Sequence, residues 1–243
     1  MPQANSSRAN LFLITLAVLF GAVSVALWSA RRCYESRLRQ RLWPAMAPDI
    51  SVLSTPPAGP ARTVLLLGDS RVVEWRLPLL AHWRVVNAGG NGLTTGQVRL
   101  CAAKLLDEFR PDAVVLEAGI NDLKYLGLRP EMASAVVSLA LENITAIAGE
   151  CEKRRCRIVL LETWPAGKPG LARRLVWSRA IPLAVDQLNA QLRSLNSPDR
   201  GIRVVDLFQE AGLKPEAACY RDTLHFKPEV YQQLTPALEQ DLP

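Results

Sequence analysis

The segment TVLLLG, residues 63–68, decides how the rest of the chain is read. It carries apolar side chains on both faces and ends at the polar turn Asp69-Ser70. A strand of that composition is covered on both sides, as in a parallel sheet. Four more runs of the same kind follow, at 83–89 (WRVVNAG), 113–119 (AVVLEAG), 157–162 (RIVLLE) and 202–207 (IRVVDL). Helical patterns separate them at 94–109, 130–149 and 172–196, with Pro182 predicting a kink or break in the last, and a closing helix over 228–240 starts near Pro228. Strands alternating with helices predict an α/β class, a three-layer α/β/α sandwich with a five-stranded parallel sheet in the order 2-1-3-4-5. That domain is expected over 62–243.

In an open parallel sheet, ligands bind beyond the carboxyl ends of the strands. Four polar or glycine-rich turns stand there: Gly68-Asp69-Ser70, the loop Asn87 to Thr95 (NAGGNGLTT), Gly119-Ile120-Asn121-Asp122, and Asp222-Thr223-Leu224-His225. A serine hydroxyl attacks only when a base removes its proton. The chain has two imidazoles, His82 and His225. His82 precedes the second strand and belongs at its amino end, away from the ligand edge. His225 lies on the ligand edge. Asp222, three residues earlier, faces the same way in a turn and can hold the Nδ1–H tautomer. An N-cap pair ahead of Pro228 is the structural alternative for Asp222 and His225. A tetrahedral intermediate further requires donors for its oxyanion. The candidates are the Ser70 N–H, a glycine N–H within 89–92 and the Asn121 amide. Asp69 reads as a turn-fixing side chain.

The four blocks GDS (68–70), NAGGNGLTT (87–95), GIND (119–122) and DTLHF (222–226), in this order, resemble those of the SGNH (GDSL-type) hydrolases. The resemblance covers about residue 62 to the C-terminus. It implies a flavodoxin-like sandwich and a serine esterase with Ser70 as nucleophile and Asp222 and His225 completing the triad. It also implies Gly92 as the oxyanion glycine, with Gly89 the fallback for that loop, and Asn121 as the family asparagine. No metal and no organic cofactor is expected. Arg71 stands where the family has Leu; an anionic substrate or a pairing with Glu74 accounts for it. Ile120 stands where many members have a small residue. Trp164, after the fourth strand, belongs either to the pocket or to the core. The same triad serves three functions: hydrolysis of an acyl or acetyl ester, acyl transfer to a glycan or lipid hydroxyl, or, silent, a binding module. The substrate is a small-molecule, lipid or glycan ester.

Upstream of the domain, 22 uncharged residues separate Arg8 from Arg31. At 1.5 Å per residue this run crosses a hydrocarbon core of ~30 Å. It reads as a tail over 1–10, an uncleaved single-pass anchor over 11–30 and a basic, proline-rich linker over 31–61. A cleaved signal peptide is the rival, with Ala22-Val23-Ser24 as its cleavage site. Arg31, Arg32, Arg37, Arg39 and Arg41 on the C-terminal flank favour a cytoplasmic domain. The family resemblance favours the periplasmic or extracellular side, so the side stays open.

The net charge of +6 over 243 residues is concentrated here, since residues 1–60 hold six Arg against two acids. The remainder is nearly balanced, which argues against nucleic acid as a partner. Hydrophobic residues at 49% and few glycines exclude disordered and collagen-like classes. The Cys151-x4-Cys156 pair has no nearby His and no second Cys pair after it, which argues against a zinc site. The glycines at 90, 92 and 96 lack dinucleotide-binding spacing.

Overall fold

The computed structural model describes residues 3–56 and 62–243, and side chains from residue 10 onward. It contains two compact units, residues 1–39 and 40–243. The first is most of helix α1 (Gln3–Leu42). Its stretch from Asn10 is long and apolar enough to cross a membrane, and its apolar side chains, Leu11 to Trp28, are exposed. Helical backbone begins at Gln3, so residues 3–10 of the expected tail are already part of this helix.

The second unit is an α/β/α sandwich. Its parallel strands are β2 (Arg62–Gly68), β3 (Trp83–Gly89), β4 (Ala113–Glu117), β5 (Arg157–Leu161) and β6 (Ile202–Val205). A two-residue strand, β1 (Leu53–Ser54), joins β3 antiparallel, giving the order β1-β3-β2-β4-β5-β6. The five long strands therefore have the expected order, and β1 is an addition. It falls within the stretch read as linker. Before it, Leu42 is buried, Trp43 meets Tyr125 edge-on at 6.1 Å and Pro44 lies against Gly96. Residues 41–54 are thus part of the domain rather than a spacer. Apolar and aromatic side chains among the prolines supply surface worth burying. Part of the expected linker, residues 57–61, lies outside the described residues.

Helices α3 (Thr95–Phe109), α5 (Ala133–Lys153) and α7 (Ala180–Arg193) pack together as one layer, with the short α4 (Ile120–Leu123) against α5 and α7. Helices α2 (Ser70–Trp75) and α9 (Pro228–Asp241), with the short α8 (Leu207–Glu210) against α9, belong to the other. Pro182 lies in the first turn of α7, where its missing N–H has no helical partner to lose. The break falls before it, between α6 (Leu171–Arg174) and α7. Under the α2/α9 layer, Trp164 sits among Trp75, Phe208, Phe226 and Tyr231, with ring centroids 5.6–6.2 Å away. It is 1% exposed, which settles its place as core.

Candidate active site

The chain order reverses direction at β2, so the carboxyl ends of β2, β3 and β4 leave a crevice. Gly68 makes the sharp exit from β2. Its φ is +152° and an added Cβ would strike the Glu117 carbonyl. The next residue, Asp69, caps α2: its Oδ1 accepts from the Arg71 N–H at 2.9 Å. Ser70 follows as the first residue of α2. Its backbone N–H, like that of Gly92, has no acceptor among the described residues.

The segment after β6 closes on itself. Tyr220 and Phe226 form an antiparallel bridge, and the Arg221 N–H donates to the His225 carbonyl at 2.8 Å. Inside this loop Asp222 Oδ1 accepts from the Leu224 and His225 N–H groups at 2.8 and 3.1 Å, an Asx turn. Its other oxygen, Oδ2, is 2.8 Å from His225 Nδ1. On the far side of the ring, His225 Nε2 is 2.9 Å from Ser70 Oγ, a residue 155 positions away in sequence. Burial acts to raise the Asp222 pKa, but the two backbone N–H donors and the imidazole outweigh it and hold the carboxyl down at about 2. An ionised Asp222 fixes Nδ1 as the protonated nitrogen of a neutral imidazole and leaves Nε2 as an acceptor facing Ser70. These two residues form a loop rather than an N-cap pair; Lys227 precedes α9 and makes no side-chain cap.

The remaining turns are bolted to one another. Thr94 forms a capping box with Gln97 at the start of α3. Asp122 accepts from the Thr95 N–H at 2.9 Å and its hydroxyl at 2.6 Å. Asn121 Nδ2 donates to Asp69 Oδ2 at 2.9 Å and to the Leu93 carbonyl at 3.0 Å. Both amide hydrogens are therefore engaged within the protein, a departure from the free oxyanion donor expected. The Gly89 N–H is likewise spent, on Asn87 Oδ1 at 2.9 Å. Gly92, at φ +72°, keeps its N–H free while its carbonyl accepts from Arg41 at 3.3 Å. His82 is exposed at the opposite end of β3, as its position before the strand implies.

Arg71 corrects both expectations made for it. It is fully buried and donates to the carbonyls of Leu224 (2.9 Å), Trp164 (2.5 Å) and Pro165 (2.9 Å) and to Glu117 (3.3 Å). Glu74 pairs instead with Arg221, at 2.8 and 3.0 Å. A guanidinium has five donors in a fixed fork, enough to tie the His225 loop to the β5 exit. Glu162, at the β5 exit, is bound by Arg193 at 2.6 and 2.7 Å. Residues missed by sequence reasoning are Glu117, Lys124 and Arg41, whose neighbours come from distant parts of the chain.

Burial pushes the Glu117 pKa up to about 8, with the Asp69 charge adding to it and Arg71 opposing. Burial likewise raises Asp122 to about 6 and raises Asp69. The folded protein keeps protons that the unfolded chain would release near pH ~4. Stability therefore falls as pH rises above that range, by up to ~1.4 kcal/mol per unit for one such group. The Glu117→Gln protein is expected to show a shallower fall in melting temperature between about pH 6 and 8 than the wild type. Equal slopes in a pH series of thermal melts would show that Glu117 is ionised throughout.

No curated protein matches the chain by sequence. Solved structures match its fold. A Streptococcus pneumonia protein named for platelet activating factor is 20% identical, with 93% of this chain and 99% of that one covered and a TM-score of 0.59. A catalytic mutant of Axe2, an acetylxylan esterase from Geobacillus stearothermophilus, is 18% identical over 75% of this chain and 94% of that one, with a TM-score of 0.57. A GDSL-like lipase from Bacteroides thetaiotaomicron is 16% identical over 77% and 90%, with a TM-score of 0.57. At these identities the likeness is one of fold. The family is shown by the sequence itself, because the description of the GDSL-like lipase/acylhydrolase family matches residues 67–233, a span that includes Ser70, Asp222 and His225. The chain belongs to that family and is an SGNH-type ester hydrolase.

Proposed function

We propose that this chain is a membrane-anchored serine esterase that cleaves carboxylic esters, acyl or acetyl, through a covalent acyl-enzyme. The observation that carries the reading is the hydrogen-bonded line from Asp222 through His225 to Ser70. Ser70 Oγ bonds to the ester carbon as its proton passes to His225 Nε2 and the carbonyl electron pair moves onto oxygen. The Ser70 and Gly92 N–H groups meet that oxyanion. Asn121 is the third donor, exchanging its Leu93 carbonyl for the substrate oxygen. Each such donor is worth ~2.7–4 kcal/mol in the transition state. Collapse breaks the ester C–O bond, and the alcohol leaves with the His225 proton. Water, deprotonated by the same imidazole, then releases the acid. Residues 11–30 anchor the chain, supported by an exposed apolar helix of spanning length.

The test uses the full-length chain in detergent with chromogenic acetyl and octanoyl esters. Release is expected, and the chain-length preference separates a deacetylase from a lipase-like enzyme. If ester turnover appears only when a glycan or lipid alcohol is added, the acyl-enzyme is resolved by transfer rather than by water. Absence of both from folded protein would leave a binding module. For the anchor, the chain is expected to stay with membranes through alkaline carbonate washing; a soluble product beginning after residue 24 would mean a cleaved signal.

A further inference from the structure

Beside the Gly92 and Asn121 side of the Ser70 site, three cations arrive from three separate segments. Lys124 opens the short 3-10 turn Lys124–Gly127, directly after the GIND block. Its side chain is half-buried, and its ammonium has no hydrogen bond or ion pair among the described residues. Arg173 comes from α6. The chain at Gly127 runs directly against the Val176 carbonyl, which brings the α6 segment onto the turn that carries Lys124. Arg173 Nη1 is buried without a hydrogen-bond partner, and its guanidinium lies 6.0 Å from the centre of the Trp177 ring. Arg41 reaches in from the segment after the anchor and donates to the Gly92 carbonyl at 3.3 Å.

The charges acting on Lys124 are those of Asp69, Arg173, Arg41 and Arg71. The one carboxylate among them, Asp69, is buried and already accepts from Arg71 and Asn121. Arg71 is enclosed by carbonyls and Glu117. Lys124 and Arg173 are thus partly desolvated donors, alike in sign, and neither makes an ion pair among the described residues. Such an arrangement carries a penalty that an incoming anionic oxygen group removes. Burial lowers the Lys124 pKa to about 8; Asp69 opposes this, and Arg173, Arg41 and Arg71 add to it.

We propose that Lys124 and Arg173, with Arg41 at the rim, form a subsite for an anionic group carried by the substrate beside its scissile ester. The inference rests on Ser70 being the esterase nucleophile. The ligand chemistry is a carboxylate or another oxyacid anion on either half of the ester. A neutral acetyl or acyl ester fills the reacting centre and leaves this subsite empty.

The experiment uses two matched pairs on the full-length chain in detergent. 4-Nitrophenyl hemisuccinate against its methyl ester puts the charge on the acyl half. 4-Acetoxybenzoate against its methyl ester puts it on the alcohol half. In at least one pair, kcat/KM is expected to favour the charged member by about tenfold or more, the scale of one charge-assisted hydrogen bond. That ratio falls toward one in Lys124→Met and in Arg173→Met, and is largely kept in Lys124→Arg. It also declines as pH rises from about 7 to about 9 and Lys124 loses its proton. A ratio near one in both pairs, or a ratio unmoved by both Met variants, overturns the subsite. Turnover of the neutral esters reports separately on the nucleophile. If no ester is cleaved, binding of the same pairs to the Ser70→Ala chain by calorimetry decides. Tighter binding of a charged member, lost in the Ser70→Ala, Lys124→Met double variant, supports the subsite; equal binding removes it.

Discussion

Ser70→Ala is expected to lower the kcat for ester hydrolysis by about 10⁴–10⁶, with the domain still folded. The size of the effect follows from the geometry. Ser70 Oγ is the hydroxyl within reach of an imidazole whose other nitrogen is locked by an ionised carboxylate. Without it no acyl-enzyme forms, and only the oxyanion donors remain to assist water. His225→Ala is expected to lose nearly as much, because an unassisted serine hydroxyl stays protonated. The double variant falls little further, since the two residues act as one unit. Asp222→Asn keeps the shape but lets the imidazole take the wrong tautomer, and a loss of about 10⁴ is expected. Near-wild-type hydrolysis by either Ala variant, with the fold intact by circular dichroism, would falsify the assignment. None of the three changes removes much buried apolar surface, so their melting temperatures are expected to stay within a few degrees of wild type.

Arg71→Met, by contrast, is expected to act on stability. It removes donors from three backbone carbonyls and from Glu117 in a site with no exposure to solvent. Each of these buried acceptors deprived of its donor costs about 1–3 kcal/mol. A loss of at least about 5 kcal/mol is a large share of the ~5–15 kcal/mol that holds a typical domain together. The melting temperature is expected to drop by about 10–20 °C for a domain of this size. Arg71→Lys rescues little, because one ammonium cannot span acceptors on the β5 exit and the His225 loop together. A melting temperature within about 3 °C of wild type, combined with a raised KM, would return Arg71 to the substrate-binding role first considered for it.

These two residues are neighbours in sequence, and they mark the boundary between what could and could not be read there. The strand and helix pattern was legible because it is periodic and local. Runs such as TVLLLG are apolar on both faces, and only a sheet covered on both sides buries them. The parallel order followed, since helical crossovers constrain how such strands neighbour one another. Ser70, Asp222 and His225 were legible as a group because short turns at strand ends share one edge of such a sheet. Their hydrogen bonds then depend on backbone placement within two or three residues of each side chain.

Long side chains and irregular segments were not legible in the same way. The fate of Arg71 rests on Glu117, Trp164, Pro165 and Leu224, which lie 46 to 153 positions further along the chain. No local pattern records that four acceptors converge on one guanidinium. β1 is two residues long and sits among prolines, too short for any period to show. Lys124, Arg173 and Arg41 read singly as ordinary surface charges, and their shared neighbourhood exists only once the loops after β4 and β5 pack together. A strand or turn is specified by the chemistry of adjacent residues, whereas a charge acquires its meaning from whatever the folded chain brings to within a few ångströms of it.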